Sequence, residues 1–115
     1  MPKNKLNAHK VVVDGETFDS RKEYRRWCEL KQMEAIGKIR GLERQVPFTL
    51  LPKQKRSDGK TEREVKYVAD FLYTDENNQQ IVEDVKGYRG GATYAIFTTK
   101  RKLMLYRYGI TISEV

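Results

Sequence analysis

Asp70 and the triplet Asp84-Val85-Lys86 are the residues of this chain whose types and spacing could do chemistry together. Two carboxylates offer hard oxygen ligands to a divalent cation, and a lysine two positions beyond the second can orient or deprotonate a water molecule. The spacing works only if the intervening chain folds back on itself. In residues 65–74, Val65, Tyr67, Ala69, Phe71 and Tyr73 alternate with Val68, Asp70 and Leu72; both sets are largely apolar, which predicts a central strand with each set on its own face. Asp75-Glu76-Asn77-Asn78 is turn chemistry, and residues 80–86 return with Val82, Asp84 and Lys86 on one face and Ile81, Glu83 and Val85 on the other. If residues 75–79 make the connection, Thr74 pairs with Gln80, and counting back sets Asp70 opposite Asp84 on the same face. Opposed like charges destabilise a sheet, and a bridging Mg²⁺ is the simplest compensation. The backbone carbonyl of Val85 is a further candidate ligand, and Mn²⁺ a substitute ion. The plain alternative is a solvated hairpin with acidic tips.

The elements that must carry this pair can be read on either side. Asp14-Gly15 between β-prone residues predicts a hairpin over 10–18, preceded by a loose basic arm over 1–9. Ser20-Arg21-Lys22-Glu23 has the capping-box pattern, which starts a helix over 20–36; its buried face is Tyr24, Trp27, Cys28, Leu30 and Ala35, with Trp27 and Cys28 as core residues, and Gly37 ends it. Residues 42–50 read as a strand with Val46, Phe48 and Leu50 on one face and Pro47 limiting its pairing. Residues 53–64 read as a charged loop. Thr93 is positioned to cap a second helix over 94–108, with Ile96, Phe97, Leu103 and Met104 as its packed stripe and Lys100 oddly inside it, before Gly109 and a last strand over 110–115. The order predicts a single α/β domain in which the second helix crosses over to a parallel last strand.

Composition narrows the chemistry. The chain has 115 residues, enough for one domain, with 23 basic and 16 acidic residues and a net charge of +7, which favours a polyanionic partner. Residues 67–85 hold five acids and no base, whereas residues 86–113 hold six bases and no acid: an acidic island in a basic chain. One Cys and one His exclude disulfide scaffolds, zinc fingers and clustered-histidine nucleases. No stretch is apolar enough for a membrane span or a signal peptide, so the expected location is the cytoplasm.

With Tyr67-Val68-Ala69-Asp70-Phe71 and Val82-Glu83-Asp84-Val85-Lys86-Gly87, residues 18–115 resemble the PD-(D/E)XK nuclease superfamily. Asp70 matches its first acid and Asp84-Val85-Lys86 its D/E-x-K, while Ala69 stands where the motif has Pro, which supplies no chemical group. Phe18-Asp19-Ser20-Arg21-Lys22-Glu23-Tyr24, Leu42-Glu43-Arg44-Gln45-Val46-Pro47-Phe48-Thr49-Leu50 and Tyr106-Arg107-Tyr108-Gly109-Ile110 resemble a small phage-type branch. The resemblance implies a restriction-endonuclease-like core, a central mixed sheet flanked by two helices with an N-terminal hairpin added. It implies a Mg²⁺-dependent DNA endonuclease, and by analogy a homodimer cutting branched DNA such as Holliday junctions, in a bacterial host cell if phage-encoded. Glu23 matches the acid that many members bring from the first helix, with a helix cap alone as the alternative role. Gln45 and Lys100 are auxiliary candidates. Lys53, Lys55, Arg56, Tyr88, Arg89, Arg101 and Lys102 are candidate DNA contacts. The competing reading is a non-catalytic nucleic-acid-binding protein on the same fold.

Overall fold

The computed structural model describes residues 9–115. The arm expected over 1–9 lies outside the described residues except for its last position. Strands β1 (Val11–Val13) and β2 (Glu16–Phe18) form the expected hairpin. Its turn has positive φ at both Asp14 and Gly15, the pairing that suits the twist of a two-residue hairpin. Helix α1 (Arg21–Ala35) begins where Ser20 Oγ accepts the Glu23 N–H at 3.1 Å. It ends in a Schellman arrangement: Lys38 N–H donates to Met33 O and Gly37 N–H to Glu34 O, with Gly37 at φ 79°. Its covered face is narrower than expected. Leu30 is buried and Trp27 stacks on Phe71, but Cys28 and Ala35 are exposed, because α1 meets only one end of the sheet.

The sheet has the order β3 (Arg40–Leu51), β6 (Val65–Thr74), β7 (Gln80–Asp84), β8 (Ser113–Glu114). Strand β6 is therefore internal, as its two apolar faces require, and Pro47 is tolerated because β3 is an edge. β7 returns antiparallel with Thr74 opposite Gln80 and Phe71 opposite Glu83, the expected register, and β8 is parallel to β7. β8 is shorter than the run over 110–115; only Ser113 and Glu114 pair. The segment over 53–64 is no simple loop, since β4 (Gln54–Lys55) and β5 (Thr61–Glu62) form a small hairpin at the far end of β3 and β6. Helix α2 (Gly91–Tyr108) starts earlier than expected, with Gly90 as its N-cap and no side-chain cap bond, so Thr93 sits inside the first turn. Gly90 packs under the Tyr88 ring: a Cβ there would stand 2.5 Å from Tyr88 Oη, so the exposed tyrosine side chain would have to move aside. Of the expected stripe, Phe97 and Met104 are buried and Leu103 partly so, while Ile96 is 59% exposed.

One expectation fails in an instructive way. Residues 65–73 do not keep one alternation. Tyr67 and Ala69 join the cluster around Phe97 and Met104 of α2, whereas Phe71 and Tyr73 join the cluster around Leu30 of α1. On β3 the same exchange separates Leu42 from Val46 and Phe48. The inward face changes at Gln45 and Asp70, an unpaired step of β3 and β6 between Arg44/Phe71 and Val46/Ala69, and Gln45 adopts φ 52° there. A left-handed residue inside a strand is uncommon outside glycine and costs energy that some other contact must repay.

Near β7 the two helices lie on opposite sides of the sheet: Val82 faces α2, and Ile81 and Glu83 face α1. Glu83 is buried and accepts from Arg26 Nε at 2.8 Å and Nη2 at 2.7 Å, with the Tyr73 hydroxyl as a third donor. Arg26→Met would leave that carboxylate with the tyrosine alone. Because Arg26 is itself 28% exposed and water can enter, the expected loss is about 2 kcal/mol, below the ~3–5 kcal/mol of a fully buried pair. Urea unfolding of the variant measures it.

Candidate functional site

The break in pairing at Asp70 lies on the floor of a cleft of about 570 Å³ between the first turns of α1, the end of β7 and the start of α2. Asp19, Glu23, Asp70, Asp84 and Lys86 all line it. Register brings two of them near each other, although the β6–β7 ladder ends at Phe71/Glu83 and Asp70 and Asp84 stand one step beyond it, without the cross-strand pairing that counting back from Gln80 predicts. The turn after β7 then folds the Val85 N–H onto Asp70 Oδ2 at 2.7 Å, while Lys86 N–H and Val115 N–H continue the bonding to β8.

Glu23 arrives from α1 and is 2% exposed. Its Oε2 accepts the Asp19 N–H at 3.2 Å, one residue before the cap, so it does hold the helix entry. Its Oε1 turns the other way, with Arg44 Nη2 at 3.4 Å and Gln45 Nε2 at 3.3 Å. Gln45 Nε2 also lies 3.5 Å from Asp70 Oδ1, so the strained glutamine sits between the two carboxylates. Ligand oxygens of Asp19, Glu23 and Asp70 all fall within 4.8 Å of one another. Burial raises the Asp70 pKa to about 7, reinforced by the charges of Asp84, Glu23 and Asp19 and opposed by the Val85 N–H. Burial also raises Glu23.

Asp84 is bound differently. Its Oδ1 accepts from Lys86 Nζ at 2.8 Å and its Oδ2 from the Tyr67 hydroxyl at 2.7 Å. Burial and the Asp84 charge push the Tyr67 phenol far above its ordinary range, which keeps it a donor. Lys86 Nζ stands 3.4 Å from the centre of the Phe97 ring, a cation–π contact that fixes the ammonium beside Asp84.

Glu23, Gln45, Asp70, Asp84, Val85 and Lys86 are thus brought together, Val85 through its amide N–H. Lys100 is half-buried on α2 and does not line the cleft. Tyr88 lines it. Lys53, Lys55 and Arg56 sit at the β4–β5 hairpin, where Arg56 pairs with Asp58 and Glu62. Arg89 and Arg101 share Glu114, and Lys102 is exposed on α2. Sequence reading missed Asp19, Tyr67 and Phe97. Asp19 stands in the Phe18–Tyr24 motif and its position beside the cap is a usable signal. Tyr67 had none, since unbroken alternation puts it on the wrong face.

The buried carboxylates make stability depend on pH in a definite sense. A raised folded-state pKa stabilises at low pH, and the contribution is lost as pH climbs from the unfolded value of 3.8 to about 7. In EDTA the protein is expected to lose about 2 kcal/mol between roughly pH 5 and pH 8 through Asp70. Thermal melts across that window check it.

A mixed α/β domain with an acidic cleft walled by both helices is what the fold and the site define. The chain belongs to the DUF1064 family, proteins of unknown function, and matches it over residues 3–112. No curated protein and no solved structure matches it.

Proposed function

We propose that this protein is a metal-dependent DNA endonuclease of the PD-(D/E)XK type. The observation that carries the reading is the convergence of Glu23, Asp70, Asp84 and Lys86 from α1, β6, β7 and the turn after β7 in one cleft. The donor set fits a hard divalent cation: the donors are all oxygens, with those of Asp19, Glu23 and Asp70 within 4.8 Å of one another, and Asp70 is a buried carboxylate with further acids beside it. Asp70 and Asp84 would hold Mg²⁺ or Mn²⁺, with Glu23 and the Val85 carbonyl as further ligands. Bound there, the ion would supply Lewis-acid polarisation of a scissile phosphate.

The chain's own groups do the rest. Lys86, fixed between Asp84 and Phe97, holds an ammonium donor at the carboxylates, where it orients an attacking water or the phosphate oxygen. Gln45 keeps Glu23 and Asp70 apart yet adjacent. One cleft serves one strand, so a homodimer acting on branched DNA is the preferred subclass, by analogy. Among the described residues no helix is long and apolar enough to cross a membrane.

Purified protein with Mg²⁺ on linear duplex, single-stranded, flap and four-way DNA tests the proposal; absence of cleavage on all four with binding retained would favour a non-catalytic nucleic-acid-binding protein. Ca²⁺ is expected to support binding without turnover, because its looser coordination does not position water as Mg²⁺ does. Equal cleavage rates in the two metals would contradict this.

A further inference from the structure

We propose that Arg21 and Arg25 are backbone-phosphate contacts that lead a nucleic-acid strand into the carboxylate cleft. The inference rests on the nuclease reading above and adds the surface by which the substrate is held. Both side chains line the cleft and are exposed. Asp19, Glu23 and Asp70 line the same cleft, yet neither arginine makes a hydrogen bond or ion pair with any of the described residues. Lys22, between them, is already committed to the Lys86 carbonyl at 2.6 Å.

Their placement works against the helix. The first turn of α1 carries Arg21 and Lys22 at the positive end of the macrodipole, where only Glu23 is acidic, Arg25 follows one turn after Arg21, and the last turn carries no basic residue. Cations in that position are unfavourable for the isolated fold, and an external polyanion would compensate them. The two arginines are one turn apart, about 6 Å along the axis. That separation lets both reach phosphates of one strand, which succeed one another every ~3.4 Å of duplex axis. Of the other basic candidates, Arg56, Arg89 and Arg101 are each engaged by acids, and Lys53, Lys55 and Lys102 are exposed but do not line the cleft.

The test is binding of a labelled DNA duplex in EDTA, followed by anisotropy over a range of salt concentrations. Arg21→Ala/Arg25→Ala is expected to weaken binding at least about tenfold at moderate salt and to lower the slope of log K against log salt by about two. Arg21→Lys/Arg25→Lys should retain most of both, which separates lost charge from any damage to the helix. An alanine variant with wild-type affinity and slope would overturn the inference and leave the nuclease reading standing. A wild-type protein that cuts no DNA but still shows the slope change would sink the nuclease reading alone.

Discussion

Asp70→Asn is expected to abolish cleavage, by at least about a thousandfold, and at the same time to make the metal-free protein more stable at neutral pH. Asn keeps the side chain's shape and its carbonyl can still accept the Val85 N–H, now at 2.7 Å to Asp70 Oδ2. What disappears is a charge that burial and the charges of Asp84, Glu23 and Asp19 already disfavour. The same charge would anchor the cation, and losing it removes several kcal/mol of transition-state stabilisation. Opposite signs on activity and stability separate this from simple misfolding, which would lower both. Asp84→Asn and Lys86→Ala should also lose cleavage: the first removes the second carboxylate charge proposed to hold the cation and weakens the 2.8 Å ion pair with Lys86, and the second removes the ammonium that stands over Phe97. Single-turnover cleavage assays beside urea melts in EDTA decide the matter. An active Asp70→Asn or Asp84→Asn enzyme would remove the mechanism.

Much of this arrangement was legible before any coordinates. The β6–β7 register followed from a five-residue connection and period-two alternation, and α1 followed from its capping box and Gly37. Those are local signals. The exchange of faces at Gln45 and Asp70 was not legible, because nothing in a sequence marks a glutamine as left-handed or reports that two facing strands skip the same step. That exchange is what turns Tyr67 toward Asp84 and away from the α1 side, so the missing residue and the missed kink are a single error. Exposure of Cys28 and Ile96 escaped for a related reason: a four-stranded sheet with a two-residue edge strand is too small to cover the wide helical faces that periodicity alone suggests.

Glu23→Gln separates chemistry from architecture at the one carboxylate that serves both. As architecture, Gln is nearly equivalent. Its carbonyl oxygen accepts the Asp19 N–H in place of Oε2, and its amide meets Gln45, whose own amide can turn its oxygen inward. Arg44 loses one acceptor at 3.4 Å but keeps the Thr17 carbonyl at 2.9 Å. The charge that burial disfavours at Glu23 is gone as well, so stability should change by under ~1 kcal/mol. As chemistry, a neutral amide replaces neither a metal ligand nor a base that orients water. Cleavage is therefore expected to fall at least about a hundredfold with DNA binding intact. Glu23→Ala is the contrasting variant: it empties a buried position and leaves the Asp19 N–H without its acceptor, and it should melt early. If Glu23→Gln cuts at nearly the wild-type rate while Glu23→Ala melts early, Glu23 is a cap alone, and the catalytic set contracts to Asp70, Asp84 and Lys86.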